Sequence, residues 1–375
     1  RRQRQMCIRD RCYMKRKITE ISVFEFFLCM FVILIHLLSE GVDTFPKWSF
    51  WSVLFSSLTR LTTFAVPGFI FTSAVKLFYK YGDVKRFSYP RFVFDRFKKI
   101  CIPYLLAVVI YYAVFVWILD MYRFDASQLF GFILTGDISA QFYFVILIIQ
   151  FYLLMPLWLA FSRINNKVFA VLLSAAAFAV TLIFRMYFPY TAAIHKIMPS
   201  YLIFWILGMY TGLNYEAFEK LIVQNRMLIY IGWLILAVSH CILSYMQFGG
   251  LIAYKASPIM VVFFCFFSIF GFYTYARELT ISLEKRGKGL LTSISSASYD
   301  IYLNHCLIII VMGRILTEAD IDNVLQRFAI TALVTYSLSI IICVLQSTIY
   351  NNLRAKYLRA SATRARKMAR RKRYL

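Results

Sequence analysis

Long apolar segments, each about as long as a membrane is thick, alternate with short polar connections along the sequence. A helix needs roughly 20 mostly apolar residues to cross the hydrocarbon core of a bilayer. The pattern therefore predicts an all-α polytopic membrane protein of about ten transmembrane helices, with no soluble domain between them. The predicted spans are 21–39, 51–75, 100–119, 141–160, 168–184, 199–213, 227–246, 257–275, 290–312 and 326–349.

The connections between the predicted spans differ in positive charge. When residue 14 is placed on the inner side, the inner connections and the tail carry 29 Lys and Arg residues, whereas the outer connections carry 7. Cytoplasmic loops of membrane proteins carry an excess of Lys and Arg. The asymmetry predicts that both termini are cytoplasmic.

Composition narrows the class of protein further. Of 375 residues, 61% are hydrophobic and only 16% are charged, which excludes a soluble enzyme, a disordered chain and a disulfide-rich secreted module. The formal net charge of +24 is concentrated at the two ends, and residues 354–375 alone hold ten Lys and Arg without an acidic residue. A basic tail predicts attraction to anionic inner-leaflet lipid. No aromatic or fold signature for nucleic-acid binding accompanies it.

Three regions of the chain follow from these patterns. Residues 1–13 have no apolar period and no signal-peptide core, so we expect a non-native leader before Met14. Residues 14–350 form the predicted transmembrane domain, and residues 351–375 form the basic cytoplasmic tail. The cysteines show no CxxC spacing, so we expect neither a disulfide framework nor a metal site.

Ionisable side chains within the predicted spans are few, and such groups are costly in a membrane unless they are partnered or functional. Glu25 and His36 are eleven residues apart in the first span, so a helix places them on one face, about 16 Å apart along its axis. They either form a line of chemistry through the membrane, with Glu25 in a substrate channel, or reach the two interfaces. Arg60, in the second span, either pairs with Glu25 or approaches His36 and substrate.

The ninth predicted span carries a polar stripe. Ser298, Tyr302 and His305 recur at helical spacing on one face, and Asp300 lies between them in sequence. Such a stripe in an apolar helix is typical of a helix that faces a cavity or a partner helix. Ser298 and Asp300 are therefore candidate channel residues. His240, alone in the seventh span, is typical of a packing residue.

Several sequence stretches, in this order, resemble the membrane-bound acyltransferase 3 family. The family includes bacterial O-acetyl and O-succinyl transferases of surface polysaccharides, and the similarity is greatest to its Gram-positive intercellular-adhesin group. The matching stretches are Ile18–Ser22 leading to His36, Phe64–Ser73, Arg96–Tyr104, Gln141–Phe144 with Gln150–Pro156, and Ser298–His305. The chain departs from the family pattern at Glu25, where the family usually has Arg, and at Lys99, Ala74 and Cys306.

The resemblance implies an integral-membrane enzyme of a bacterial plasma membrane. It would move an acetyl or succinyl group from cytoplasmic acyl-CoA to a hydroxyl of an extracytoplasmic glycan or glycolipid. In that mechanism His36 is the general base. Arg60 or Tyr302 steadies the developing oxyanion, and His305 belongs to the same catalytic set. No bound cofactor is expected, since acyl-CoA is a co-substrate.

The donor would dock at an inner basic cluster. Arg91, Arg96, Lys98 and Lys99 are placed to hold the phosphates of acyl-CoA. Plain positive-inside anchoring explains the same charges equally well.

Two other functions remain open at this point. Buried charges on ten spans are also compatible with a polysaccharide exporter or flippase, although no inverted repeat of broken helices is visible. A non-catalytic membrane partner of a polysaccharide synthase is the third possibility, and the charge reversal at Glu25 is compatible with it.

Overall fold

The computed structural model describes residues 18–84, 86–188, 195–252, 257–285, 298–342 and Leu345. The predicted leader and the basic tail lie outside these residues. Every regular element in the described part of the chain is helical, as the hydrophobic pattern predicts. In chain order the helices are α1 (Thr19–Thr44), α2 (Phe50–Thr62), α3 (Ala65–Tyr81), α4 (Tyr89–Arg96), α5 (Ile102–Trp117), α6 (Ala126–Thr135), α7 (Tyr143–Leu153), α8 (Met155–Ser162), α9 (Lys167–Tyr187), α10 (Leu202–Leu213), α11 (Tyr215–Gln224), α12 (Arg226–Phe248), α13 (Ser257–Lys285), α14 (Ser298–Glu318) and α15 (Val324–Ile342).

Among the described helices, fewer than the predicted ten are long enough to span a membrane. In the described residues, eight helices are long and apolar enough to cross a membrane, or nine if one bent pair counts as a single span. Two of the eight are composite, because α2 continues into α3 and α4 continues through a π-helical turn into α5. The predicted sixth span is a shorter apolar helix over Met198–Leu213, which includes a 3-10 turn before α10.

The bent pair corrects the predicted boundary of the fourth span. Residues 120–140 were expected to form a connection, but Ala126–Thr135 is helical. This helix meets the segment Ala140–Leu153 at an angle of 50°. Gly136, with φ +69°, ends α6 in the left-handed conformation that glycine adopts without strain. The break brings Gln141 into the interior, where its side chain is 1% exposed.

Burial separates central helices from peripheral ones. In the most apolar stretch of each span, 67% of the residues of α2–α3 and 56% of those of α1 are buried, against 11% for α9 and 17% for α15. Exposed leucine and isoleucine side chains cover the outer face of α12 as well. A bilayer would cover these apolar surfaces, because lipid tails are as apolar as the side chains themselves.

Helices α3 and α10 approach each other backbone to backbone. A methyl group on Gly208 would lie 2.4 Å from the carbonyl oxygen of Phe71, and one on Gly212 would lie 2.5 Å from that of Val75. The two glycines are four residues apart, which is the GxxxG spacing that lets membrane helices pack closely. This contact fixes α3, which carries Lys76, against the centre of the bundle.

We expect Gly208→Leu to prevent this approach and to reduce the amount of folded protein in the membrane at least about tenfold, because overpacking commonly costs 1–3 kcal/mol or more. The matched control is Gly313→Leu on α14, where a Cβ would meet no atom within 4 Å. Fluorescence-detected gel filtration of detergent extracts measures both variants. Equal amounts of folded protein in the two would contradict the prediction.

Candidate active site

A pair of histidines from two distant parts of the chain meets inside the bundle. His36 of α1 and His305 of α14 have ring centroids 5.3 Å apart, with the ring planes inclined by 43°. His305 is fully buried, and His36 is partly exposed. The sequence predicted both residues as catalytic, and the structure brings them together.

The hydrogen bonds of His305 define which nitrogen carries its proton. Nδ1 lies 3.2 Å from the carbonyl oxygen of Ile301, which can only accept, so Nδ1 is the donor. In the neutral imidazole Nε2 then carries the lone pair, and the Cys306 sulfur lies 3.2 Å from it. The neutral His305 thus accepts a weak hydrogen bond from Cys306.

A network of buried polar groups holds the helix that carries His305. The hydroxyl of Tyr111 on α5 donates to the carbonyl of Leu303 at 2.9 Å and accepts from the backbone N–H of Leu307 at 2.7 Å. The amide of Gln141 donates to the Tyr111 hydroxyl at 2.8 Å. Tyr302 in turn donates to the carbonyl of Gln141. Each polar group has a partner, so the network fixes the position of α14.

A cavity of about 270 Å³ lies on one side of this network. Apolar and tyrosine side chains form most of its wall, and three charged groups line it: Glu25, Lys76 and Lys99. Tyr302 also lines the cavity, and its ring centroid is 5.9 Å from that of His305. Lys99 and Tyr302 therefore line one cavity, and ring contacts lead from Tyr302 to His305 and from His305 to His36.

Glu25 has a partner that sequence analysis did not predict. Its carboxylate forms an ion pair with the ammonium group of Lys76 on α3. The predicted second span ended at residue 75, one residue before this lysine, so Lys76 was counted with the inner connection. The pair leaves Lys99 as a further positive charge on the wall of the same cavity.

A π-helical turn places part of the predicted basic cluster. The turn covers Phe97–Cys101, between α4 and α5, and the hydroxyl of Tyr299 donates to the carbonyl of Ile100 within it at 2.9 Å. Such turns are frequent at functional sites. Because Lys99 and Ile100 both line the cavity, the turn joins α14 to the basic segment.

The other three members of the basic cluster lie around this turn. The guanidinium of Arg96 lies 5.5 Å from the ring centroid of Tyr152, another cavity residue, and its buried Nε has no hydrogen-bond partner among the described residues. Lys98 lies over the ring of Phe94, at 4.3 Å from its centroid. Arg91 lines a separate cavity of about 310 Å³. Of the four, Lys99 alone lines the main cavity in the described part of the chain.

Arg60 is linked to His240 through Thr63, whose hydroxyl donates to the Arg60 carbonyl at 2.8 Å and lies 3.5 Å from His240 Nε2. His240 is 3.1 Å from Ser244 Oγ, and its ring packs on Phe264 with centroids 4.7 Å apart. These contacts agree with the prediction that His240 is a packing residue. The proposed oxyanion role of Arg60 stays a prediction.

The remaining predicted residues lie on α14. Among the described residues of this helix, Tyr299 and Tyr302 line the main cavity, whereas Asp300 is half-buried and its carbonyl accepts from Asn304 at 2.9 Å. Ser298 begins the helix, and its side chain lies outside the described part. The hydroxyl proton of Tyr302 is donated to Gln141, so an oxyanion role for Tyr302 would require that bond to be exchanged.

Paired imidazoles, a cavity lined by three charged groups and a body of long apolar helices define a multi-pass membrane protein with a candidate internal site. A family model described as an acyltransferase domain matches residues 18–346, which is most of the chain. The protein therefore belongs to the acyltransferase 3 family, as the sequence motifs indicated.

Two curated relatives are similar to this chain over most of its length. Both are from Staphylococcus epidermidis, and both are named "Probable poly-beta-1,6-N-acetyl-D-glucosamine export protein". Each is 23% identical to this chain over 311 residues, which cover 79% of this chain and 82% of the relative. No solved structure matches the chain significantly.

Proposed function

We propose that the protein is an O-acyltransferase that moves an acyl group from cytoplasmic acyl-CoA to a hydroxyl of a glycan on the other side of the membrane. The observation that carries the proposal is that Lys99 and Tyr302 line one cavity, and that the Tyr302 ring lies beside His305, which is paired with His36. Membership of the acyltransferase 3 family supports the reaction class. The acyl group and the glycan stay open.

The basic residues suit the anionic donor. Lys99 on the cavity wall and Arg96 behind Tyr152 offer positive charge at the end of the bundle that the loop charges predict to be cytoplasmic. The thioester arm of the donor would then enter the cavity, whose apolar and tyrosine walls suit an uncharged chain.

The paired histidines suit the acceptor half of the reaction. A glycan hydroxyl becomes a nucleophile when a neutral imidazole accepts its proton as the new ester bond forms. His36 is the more exposed member of the pair, so we assign it as the general base. His305 is fixed by Ile301 and Cys306, and it would position His36 and the reacting carbonyl.

The relatives' names favour a second candidate function, the export of a polysaccharide. The main cavity of about 270 Å³ is small for that role, since even pockets for single small ligands span roughly 300–1,000 Å³. Cells that lack the protein separate the two functions: an exporter's loss keeps the polymer inside, whereas a transferase's loss leaves an exported polymer without acyl groups.

We expect Lys99→Ala to raise the KM for acyl-CoA about tenfold with little change in kcat, because Lys99 binds the donor and takes no part in the bond exchange. The matched control is Lys220→Ala on α11, an exposed lysine at the same predicted side of the membrane. Initial rates in inside-out membrane vesicles, at varied acyl-CoA concentration, measure both. An equal KM in Lys99→Ala and wild type would remove Lys99 from the donor site.

A further inference from the structure

Three potential metal ligands converge at the histidine pair. One ligand atom from each of His36, His305 and Cys306 can be chosen so that all three lie within 4.8 Å of one another. Cys306 and His305 are both buried, and their sulfur and Nε2 atoms are 3.2 Å apart. Because Cys306 is adjacent to His305 in sequence, the cysteine spacing alone gave no indication of this cluster.

We propose that His36, His305 and Cys306 form a binding site for a transition-metal ion of the zinc class. Tetrahedral zinc holds nitrogen ligands at 2.0–2.1 Å and thiolate sulfur at 2.3 Å, so neighbouring ligand atoms are about 3.3–3.6 Å apart. The His305–Cys306 pair is already close to that separation. A rotation of the partly exposed His36 side chain, which closes about 1 Å, completes a three-ligand set.

The hydrogen bond that His305 makes through Nδ1 is typical of a histidine that binds a metal ion. Histidines that bind a metal through one nitrogen usually donate the other N–H to a backbone carbonyl or a carboxylate. His305 donates Nδ1–H to the carbonyl of Ile301 and so presents the lone pair of Nε2 towards Cys306. Two imidazoles and one thiolate suit zinc and its neighbours better than the hard cations calcium and magnesium. On binding, the Cys306 thiol releases its proton to solvent and the thiolate bonds to the ion.

The site has a consequence for the histidines. A nitrogen lone pair that binds a metal ion cannot also accept a proton from a hydroxyl. The metal-loaded form and the form in which His36 acts as a base are therefore alternatives. We expect zinc to inhibit acyl transfer, and a chelator to restore it.

The test is a titration of the full chain, purified in detergent without a polyhistidine tag and freed of metal by a chelator. Co²⁺ is added first, because a cobalt–thiolate bond gives a charge-transfer band in the near ultraviolet. We expect about one equivalent bound per chain. Cys306→Ser should abolish the band and weaken binding at least about tenfold, a loss that even an outer-shell change can cause. Zn²⁺ is then measured by competition with the bound Co²⁺.

Cys265→Ser is the matched control, since Cys265 is a buried free cysteine on α13, outside the cluster. It should keep both the band and the affinity. The proposal fails if wild type shows no band, or if Cys306→Ser keeps it. Gel filtration checks that wild type and both variants are folded. Serine is nearly the same size as cysteine, so we expect both variants to fold. Because the readout is spectroscopic, a negative result leaves the proposed acyl transfer unaffected.

Discussion

His36→Gln is expected to lower glycan O-acylation at least about 100-fold, because a positioned general base contributes roughly 10²–10⁴ to a rate. Glutamine retains a polar side chain of similar reach, but it cannot accept the hydroxyl proton. Its partner His305 stays fixed by the carbonyl of Ile301. The measurement is the amount of ester released by mild base from the surface glycan of cells that carry equal amounts of each protein in the membrane.

The matched control for this prediction is His195→Gln. His195 lies in an exposed turn before α10, and its ring is 6.2 Å from that of Tyr143. We expect acylation near the wild-type level in this variant. Wild-type acylation in His36→Gln itself would remove His36 from the chemistry. Retention of the polymer inside the cell would favour export instead.

The periodicity of the sequence predicted helices well, because a span must satisfy its own backbone hydrogen bonds and therefore carries a long apolar signal. Short elements gave a weaker signal. The helix Ala126–Thr135 has only ten residues, and the polar side chains of Ser127 and Gln128 in its first turn resemble a connection. Likewise, the sequence alone does not show that the glycines of α10 form the surface on which α3 packs.

The candidate site was predictable in part. Periodicity shows which residues share one helix face, so the polar face of the ninth predicted span correctly indicated an interior position for Tyr302 and His305. It does not show which other helix meets that face. For this reason the sequence offered Arg60 as a partner of Glu25, whereas the structure pairs Glu25 with Lys76. Cross-helix pairs depend on packing register, which a single sequence does not contain.

Glu25→Arg is the change for which the sequence pattern and the structure predict opposite results. The family pattern, with an arginine at this position, favours a gain of activity. In the structure, Glu25 pairs with Lys76, and Lys99 lines the same cavity. Arginine would therefore place a third cation there, and two like charges about 4 Å apart repel by roughly 4 kcal/mol at an effective dielectric constant of 20. We expect membrane abundance and acylation to fall together, each at least about tenfold.

The reversed pair tests whether the ion pair itself is the cause. Lys76→Glu alone should be as damaging as Glu25→Arg, because it sets two carboxylates side by side. The double variant Glu25→Arg/Lys76→Glu restores opposite charges, so it should recover most of the abundance, and the cycle isolates the pairwise interaction. A double variant no better than either single change would contradict the pairing. Recovered abundance without recovered acylation would show that the pair holds α1 against α3, and that the donor also needs the ammonium group of Lys76 in its native place.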